Sequence, residues 1–205
     1  MIEGALAHTT PAAHPKILHM LGIPASGKTT YLRDNPSPGA VLISFDAIME
    51  SLPEYRNDNR RVGAEKAFAK WESCARAIGY ELLFRSIERK LDIMFDHSGS
   101  RPDHVRLLEE LKLNHGYRIE IVALKIDEGL AVRRAATRDR HLPPEYIAQR
   151  KHVLDGLVPQ YRAIADDYAE YVATETGLVR AQGPGEATPP DRRSTWSHRL
   201  GAGLA

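Results

Sequence analysis

The sequence predicts a doubly wound α/β domain, in which helices flank a mostly parallel β-sheet. Short apolar segments, typical of strands buried on both faces, alternate with segments of helical periodicity. A glycine-rich loop separates the first of these strands from the helix that follows it. The chain has 205 residues, of which 42% are hydrophobic, so it is long enough to bury one sizeable core. These observations favour a single folded domain.

The expected elements follow one another along most of the chain. Strands are predicted at residues 16–21, 40–45, 91–95, 118–126 and 171–174, with a returning strand at 178–181. Helices are predicted at residues 62–90, 102–114, 128–137, 143–154 and about 160–168. Residues 50–61 are polar and irregular, which indicates either a loop that grips a substrate or a solvated connection.

The longest predicted helix, at residues 62–90, has an apolar stripe. Its members recur at spacings of three and four: Ala64, Phe68, Trp71, Ala75, Ile78 and Leu82. This pattern predicts core packing. Charged residues, among them Glu72 and Arg76, belong to the wetter side of the helix.

Composition divides the chain into three parts. Residues 1–15 are small, polar and proline-bearing, which predicts a flexible N-terminal arm. Residues 16–182 contain the predicted strands and helices and form the folded domain. From Gly183 onward, glycine, proline and scattered charge predict a disordered tail over residues 183–205.

The most specific motif lies between the first predicted strand and its helix. Residues 22–29 read GIPASGKT and fit the phosphate-binding loop G-x-x-x-x-G-K-[ST]. Glycines let successive backbone N–H groups surround the phosphates, while Lys28 adds positive charge and the Thr29 hydroxyl can ligate Mg²⁺. The motif predicts binding of a nucleoside triphosphate. The expected contact residues are Gly22, Ala25, Ser26, Gly27, Lys28, Thr29 and Thr30.

An aspartate, Asp46, directly follows the strand predicted at residues 40–45. Ligands of doubly wound sheets bind outside the carboxyl ends of the strands. If this strand neighbours the first, Asp46 lies beside the γ-phosphate and can accept the proton of an attacking hydroxyl, as a kinase base does. The alternative role for Asp46 is to cap the helix that follows it.

A second aspartate, Asp96, ends the next apolar strand. An acidic residue at such a position usually holds Mg²⁺, and Thr29 is the expected second ligand. Ser98, Ser100 and Arg101, in the turn that follows, are candidates to line an acceptor pocket together with Asp46 and Asp96. The alternative is an ordinary polar turn, because Asp, Ser and Gly are residues that turns prefer.

Arginines cluster ahead of the Pro143-Pro144 pair, at positions 133, 134, 138 and 140. Phosphoryl transfer builds negative charge on the transferred oxygens, and an arginine from a closing lid stabilises that charge. The cluster predicts an Arg-rich lid with Arg133, Arg134 and Arg140 as candidate catalytic residues. For each arginine taken singly, a solvated basic face is the alternative.

Composition also argues against several classes of protein. The formal net charge of +1 gives no global reason to expect nucleic acid or an anionic membrane as a partner. The single cysteine, Cys74, cannot form an internal disulfide. No apolar run approaches the roughly 18 residues of a membrane-spanning helix. Residues 1–8 lack the basic-then-apolar pattern of a secretion signal, so the chain is expected to be cytoplasmic.

Taken together, these motifs resemble the zeta toxin family and related small P-loop kinases, over roughly residues 16–164. By position, Lys28 matches the family's phosphate-loop lysine and Asp46 its catalytic aspartate. Residues 96–98, Asp-His-Ser, sit where the family usually shows Glu-Gly-Thr, which contacts the sugar substrate. Arg140 resembles the second lid arginine, which leaves Arg133 or Arg134 as the first.

The resemblance implies an ATP- and Mg²⁺-dependent kinase domain over residues 16–182. Zeta toxins phosphorylate a sugar hydroxyl of UDP-N-acetylglucosamine and are held by an epsilon antitoxin. A UDP-sugar acceptor and an antitoxin partner are therefore expected here.

Other functions stay open on the residues alone. The acceptor could be another metabolite, an antibiotic or a polynucleotide 5′-hydroxyl, although a polynucleotide needs a basic channel with interleaved aromatics, which the sequence does not suggest. A different class is a regulatory GTPase switch. Residues 96–99 fit D-x-x-G, and residues 125–127 read K-I-D as in the guanine-reading N-K-x-D, with Leu124 in place of the asparagine.

Overall fold

The computed structural model describes residues 2–7, 9–137 and 142–181. Its strands are β1 (Lys16–Leu21), β2 (Val41–Ser44), β3 (Ile93–Asp96), β4 (Arg118–Ile126), β5 (Asp167–Thr174) and β6 (Gly177–Arg180). Its helices are α1 (Ile2–Leu6), α2 (Lys28–Asp34), α3 (Phe45–Ser51), α4 (Pro53–Val62), α5 (Ala64–Glu88), α6 (Pro102–Asn114), α7 (Glu128–Ala136) and α8 (Pro144–Ile164). None of these helices is long and apolar enough to cross a membrane.

The six strands form one sheet in the order β2-β3-β1-β4-β5-β6. β1 to β5 are parallel, and β6 returns antiparallel to β5. The predicted mostly parallel sheet flanked by helices is therefore confirmed. The predicted Arg-rich lid includes Arg138 and Arg140, which lie outside the described residues.

Both faces of the sheet are covered, which explains why its strands read as continuous apolar runs. Ile17 and Leu21 of β1 belong to the larger core, which includes residues of α5, α6, α7 and α8. Met20 packs with Leu32 of α2 in a smaller cluster. A third cluster joins α3, α4 and α5: Ile48, Met49, Leu52, Tyr55, Ala67 and Ala75.

The strand order changes the expected placement of the two aspartates. β3, rather than β2, lies beside β1. The condition under which Asp46 was expected beside the γ-phosphate, namely that β2 neighbours β1, is therefore not met. Asp96, at the end of β3, is one strand from the phosphate loop, and Asp46 is two strands away.

Helix α4 occupies most of the segment that was predicted to be irregular. Its Tyr55 is buried, and three residues later Asp58 accepts hydrogen bonds from Lys70 Nζ (2.6 Å) and Trp71 Nε1 (2.9 Å) of α5. The sequence did not predict this helix because only Tyr55 and Asp58 form its buried face and the other residues are mostly polar. Contacts with α5, which the local sequence does not reveal, hold it in place.

One continuous helix, α8, replaces the two helices predicted at residues 143–154 and 160–168. Pro159 removes the hydrogen bond to the carbonyl of Asp155, but both residues are exposed, so water can satisfy that carbonyl. Leu157 and Tyr161, on either side of the proline, are buried. Their burial in the core stabilises the helix on both sides of the proline.

The N-terminal segment contains a helix that the sequence did not predict, whereas the predicted C-terminal tail cannot be compared. The segment predicted to be a flexible arm contains α1, whose Leu6 is 4% exposed and packs in the larger core. Glu3 of the same helix pairs with Arg85 of α5 at 2.7 Å. The tail predicted at residues 183–205 lies outside the described residues.

Candidate active site

The carboxyl ends of β2 and β3 and the phosphate loop after β1 border one cavity, to which α5 and α8 also contribute. Its walls are formed by Pro24, Ala25, Gly27, Lys28, Thr29, Ser44, Phe45, Asp46, Met49, Phe68, Glu72, Ala75, Arg76, Asp96, His97, Ser98, Leu142, Tyr146 and Arg150. Of the other predicted loop residues, Gly22 and Ser26 are buried within the loop, and Thr30 is exposed on α2. The fold thus brings the predicted loop lysine and both predicted aspartates to one place.

The phosphate loop has a backbone shape suited to binding an anion. Ala25 (φ 65°) and Gly27 (φ 97°) are left-handed, and such residues between right-handed ones form nests of N–H groups. A Cβ atom on Gly22 would clash with Ser26 Oγ, so this position requires glycine. Lys28 Nζ donates to the Gly22 carbonyl at 2.8 Å. The positive charge of Lys28 is therefore held over the loop.

Asp96 is oriented by the neighbouring strand. Ser44 and Asp96 are opposite each other in the parallel register of β2 and β3, and Ser44 Oγ donates to Asp96 Oδ2 at 3.2 Å. The loop is also tied to this region, because the Gly22 N–H donates to the Ser98 carbonyl at 3.0 Å. Asp96 and Thr29 line the same cavity, as two ligands of one Mg²⁺ ion must.

Asp46 does not cap α3, which was the alternative role for it. The N-cap residue is Ser44, whose hydroxyl accepts from the Ala47 N–H at 3.5 Å. Asp46 lies in the first turn of α3, is exposed, and faces the cavity as one of its lining residues. The predicted role as a base is compatible with this position, because the Asp46 carboxylate does not accept the N-cap hydrogen bond of α3.

Three of the arginines predicted from the sequence, Arg101, Arg133 and Arg134, lie away from this cavity. Arg133 Nη2 pairs with Glu175 at 2.6 Å, and Arg134 Nη2 donates to the carbonyl at the end of β5. Arg101 pairs with Asp103 at 2.9 Å at the start of α6. None of these three side chains is among the described residues that line the cavity. Arg140 lies outside the described residues, so its predicted role was not tested.

Arg150 of α8 is a cavity residue that the sequence analysis missed. Its Cζ lies 4.8 Å from the ring centroid of Tyr146, one helical turn earlier, and Nη1 donates to Ser100 Oγ at 3.5 Å. Its i, i+4 spacing from Tyr146 was visible in the sequence. Which face of α8 meets the sheet was not, so no motif distinguished Arg150 from a surface arginine.

Glu72 and Arg76 of α5 were predicted on the wetter side of that helix, and both line the cavity. Glu72 Oε1 accepts from Arg76 Nε (3.0 Å) and Nη2 (2.6 Å). The guanidinium Cζ lies 5.5 Å from the ring centroid of Phe45. Only the assembled fold shows that this partly exposed side of α5 borders the cavity beside β2 and α3.

Three histidines pack beside the cavity. The ring centroids of His97 and His104 are 4.0 Å apart, and His19 lies 6.5 Å from His97 and 5.9 Å from His104. Burial and then the neighbouring histidine charge lower the pKa of His19 and His97 well below the usual value. Burial, followed by Arg101 and Arg76, lowers the pKa of His104 to about 4. The cluster is therefore neutral near pH 7, and His97 presents an uncharged ring to the cavity.

The residues that suggested a GTPase switch have structural roles. Lys125 pairs with Glu170 at 2.6 Å, and Asp127 caps α7 by accepting from a backbone N–H at 3.0 Å. Gly99 is left-handed (φ 73°), and its carbonyl accepts from Tyr161 Oη at 3.0 Å. Packing and capping explain these residues without a guanine-binding site.

Comparisons with known proteins support the same fold. A family model described as an AAA domain matches residues 17–157. No curated protein sequence is significantly similar to this chain.

Solved structures share the fold at low sequence identity. A structure of the PezAT chromosomal toxin-antitoxin system of Streptococcus pneumoniae has a TM-score of 0.66 and 15% identity, over 83% of this chain and 74% of that one. The AvrRxo1-ORF1:-ORF2 structure with ATP has a TM-score of 0.60 and 16% identity, over 87% of this chain and 60% of that one. A putative kinase from Chloroflexus aurantiacus J-10-fl has a TM-score of 0.52 and 15% identity, over 80% and 90%. The likeness to zeta toxins and related small P-loop kinases is thus confirmed at the level of the fold.

Proposed function

Because the chain belongs to the AAA domain family and has a kinase-like P-loop fold, we propose that it is an ATP-dependent phosphotransferase. The observation that carries this proposal is the meeting of Lys28, Asp46 and Asp96 in one cavity. A loop that binds phosphates, a carboxylate that holds a metal ion and a second carboxylate near the acceptor are the parts that phosphoryl transfer needs.

The phosphate side of the cavity suits a nucleoside triphosphate. The left-handed residues of the loop present N–H groups to the phosphates, and Lys28 neutralises part of their charge. Thr29 and Asp96 would hold Mg²⁺, which when bound offsets the charge of the phosphate oxygens. Ser44 supports this role, because its hydrogen bond to Asp96 Oδ2 orients the carboxylate.

The proposed step is a direct transfer. The oxygen of an acceptor hydroxyl bonds to the γ-phosphorus of ATP while the bond to the β-phosphate oxygen breaks, and ADP leaves. Asp46 takes the hydroxyl proton, as an exposed carboxylate on the cavity wall can do. Arg150 extends from α8 into the same cavity and would offset negative charge on the transferred oxygens.

The leading acceptor is UDP-N-acetylglucosamine or a related UDP-amino sugar, which the resemblance to zeta toxins suggests. The toxin-antitoxin structure with the same fold supports a search for an antitoxin protein that binds this chain. Kinases for another metabolite, an antibiotic or a polynucleotide 5′-hydroxyl are competing assignments.

Mass spectrometry of reaction mixtures tests the proposal. Purified protein is incubated with ATP and Mg²⁺ together with UDP-sugars, a DNA oligonucleotide with a free 5′-hydroxyl, or a bacterial metabolite extract. We expect one acceptor to gain a single phosphoryl group, and Asp46→Asn to abolish this gain while ATP still binds. Transfer to UDP-N-acetylglucosamine would establish the leading assignment.

Other outcomes separate the alternatives. If only the oligonucleotide or a compound of the extract gains a phosphoryl group, the assignment as a phosphotransferase stands and the UDP-sugar acceptor is wrong. GTP hydrolysis without any transfer, with GTP strongly preferred over ATP, would instead favour a regulatory switch. No transfer in any mixture would reject the phosphotransferase.

A further inference from the structure

We infer that His97 binds an uncharged oxygen atom of the acceptor, a hydroxyl or a carbonyl, by donating a hydrogen bond from Nε2. The inference rests on the proposed phosphotransferase function and adds a substrate-binding residue to the same cavity. The other ring nitrogen of His97, Nδ1, is occupied by the turn that follows β3, so the two nitrogens have separate roles.

The hydrogen bond of Nδ1 determines which ring nitrogen of His97 carries the proton. The Gly99 N–H donates to Nδ1 at 3.2 Å, so Nδ1 must be unprotonated. Gly99 is held in place for this bond, because its backbone is left-handed (φ 73°) and its carbonyl accepts from Tyr161 Oη at 3.0 Å. In a neutral imidazole, an unprotonated Nδ1 leaves the proton on Nε2.

The imidazole of His97 is held in its neutral form by its surroundings. Burial, then the neighbouring histidines, and then the cations Arg76 and Lys28 lower the pKa of His97 well below the usual value. The Gly99 N–H favours the same form, because an imidazolium has no lone pair that could accept from it. Nε2 is therefore an uncharged donor near pH 7.

Nε2 of His97 is open to the cavity. The residue is partly exposed and lines the cavity wall beside Asp96 and Ser98. Both ring nitrogens of His19 and Nδ1 of His104 are buried without a hydrogen-bond partner among the described residues. Nε2 of His97 differs from them, because it is accessible to solvent while it too is bonded to no described residue. A ligand in the cavity can therefore accept from it.

Neighbouring rings hold the imidazole of His97 in this orientation. The ring centroid of His104 lies 4.0 Å away at an interplanar angle of 67°. Phe95 stacks on the imidazole at 5.8 Å, and Phe45 meets it in a T-shaped arrangement at 5.9 Å. A donor that is already oriented loses little side-chain entropy when a ligand binds, so more of its hydrogen-bond energy contributes to affinity.

The strand order places this donor near the reacting end of the acceptor. β3 lies between β2, which leads into Asp46, and β1, which leads into the phosphate loop. His97 directly follows β3, so it borders the place where an acceptor hydroxyl would meet the γ-phosphate. The cations Lys28 and Arg150 are assigned to the phosphates. The uncharged donor is left for an uncharged oxygen of the acceptor.

Two amide variants separate the donor at Nε2 from the acceptor at Nδ1. The His97→Gln side chain extends an amide NH₂ group to about the position of Nε2. The shorter His97→Asn side chain can accept from the Gly99 N–H in place of Nδ1 but has no donor further out. His97→Phe keeps a ring and has neither group. The exposed His115→Asn is the control, and thermal unfolding checks that each variant folds.

Steady-state transfer from ATP is measured with UDP-N-acetylglucosamine, with the oligonucleotide and with serial dilutions of the metabolite extract. We expect His97→Asn and His97→Phe to raise the KM for the acceptor, or the half-saturating amount of extract, about tenfold, because an acceptor oxygen loses its hydrogen bond. His97→Gln should stay within about twofold of wild type. The KM for ATP and kcat should change less than about twofold in all variants, since the bond forms in ground state and transition state alike.

Nitrogen-15 NMR of the histidine rings tests the tautomer without any acceptor. Comparison of wild type with His97→Gln assigns the His97 signals. We expect a protonated Nε2 and an unprotonated Nδ1 in the free protein at pH 7.5. A protonated Nδ1 would overturn the inference, whether Nε2 is protonated or not.

The kinetics can overturn the inference independently. If His97→Asn keeps the wild-type KM for the acceptor while His97→Gln raises it, His97 only holds the turn and the inference is wrong. Equal KM values in all three variants, changed or unchanged, would reject it as well. These outcomes leave the phosphotransferase in place, because wild type still transfers the phosphoryl group. Absence of transfer by wild type in every mixture would instead reject the proposed function, and the acceptor contact with it.

Discussion

A Cβ atom on Gly79 of α5 would lie 2.5 Å from two carbons of the Phe45 ring. The ring has little room to move, because it also packs against Tyr80, with centroids 5.1 Å apart, and against Phe95, at 5.8 Å. This close approach fixes the first residue of α3 against α5. Because Asp46 follows Phe45 directly, the same contact sets where the proposed base lies.

Gly79→Ala is therefore expected to destabilise the protein and to disturb the site. Forcing a methyl group into a packed contact typically costs about 1–3 kcal/mol of unfolding free energy, more than the gain in helix propensity. We expect a lower melting temperature and a lower transfer rate. Gly156→Ala on α8 is the matched control, since nothing lies within 4 Å of its Cβ position. If Gly79→Ala is as stable as Gly156→Ala, the Phe45 ring can move aside for the added methyl group and the prediction is wrong.

Lys28→Ala is expected to lower the rate of phosphoryl transfer by about a hundredfold or more, the usual scale for removing a group that stabilises charge in the transition state. The fold should remain, because Lys28 is only half-buried and its Nζ donates to the loop carbonyls of Gly22 and Ile23. Steady-state kinetics and circular dichroism check both statements. Lys125→Ala, which removes an exposed partner of Glu170, is the control. A wild-type rate in Lys28→Ala would dismiss the phosphate-loop mechanism.

Arg150→Gln is expected to reduce kcat by about a hundredfold while leaving ATP affinity nearly unchanged, if its charge acts on the transferred phosphoryl group. Arg162→Gln on the same helix removes an ion pair with Glu170 and a cation–π contact with Tyr168, both outside the cavity, and should keep the wild-type kcat. Single-turnover kinetics and ATP titration measure the two quantities. If Arg150→Gln keeps the wild-type kcat, the role passes to Arg140, the candidate from the sequence that lies outside the described residues.

The histidine cluster predicts a loss of stability in mild acid. The pKa of His104 is about 4 in the folded protein, against 6.5 for a free side chain, so the unfolded chain binds more protons between these values. The free energy of unfolding should therefore be highest above pH 6.5 and should fall as the pH drops toward 4. At about 1.4 kcal/mol per pKa unit, His104 alone accounts for roughly 3 kcal/mol, and the lowered pKa values of His19 and His97 act in the same direction.

His19→Leu tests this prediction. Both ring nitrogens of His19 are buried without a hydrogen-bond partner among the described residues, so an apolar side chain should be tolerated. Urea unfolding at pH 7.5 and pH 5 should show a smaller loss of stability in His19→Leu than in wild type. The exposed His115→Gln serves as the control. If the free energy of unfolding of His19→Leu depends on pH as in wild type, His19 does not contribute to the loss of stability in acid.

Local patterns in the sequence were sufficient for the elements that depend on local physics. β1, β4 and α6 have the predicted bounds, because apolar runs and helical periodicity are set by neighbours along the chain. The phosphate loop was identified for the same reason, since its shape depends on glycines within eight consecutive residues. Their positions at or just beyond the ends of strands placed Asp46 and Asp96 where the carboxyl ends of the strands meet.

The remaining features depend on contacts between distant segments. α4 is held by the hydrogen bonds of Asp58 to α5, and α8 continues through Pro159 because Tyr161 is buried in the core. The order of β2 and β3 followed from pairing that no local pattern encodes.

The residues of the candidate site also fall into those that the local sequence predicts and those that only the tertiary structure reveals. The sequence by itself determined the phosphate-loop motif and the presence of an aspartate at the end of each of two strands, because both depend on neighbouring residues along the chain. Only the tertiary structure decided which charged side chains of the long helices join them. A helix can turn either face to the sheet, and packing alone brought Arg76 and Arg150 to the cavity and left Arg133 paired with Glu175 outside it.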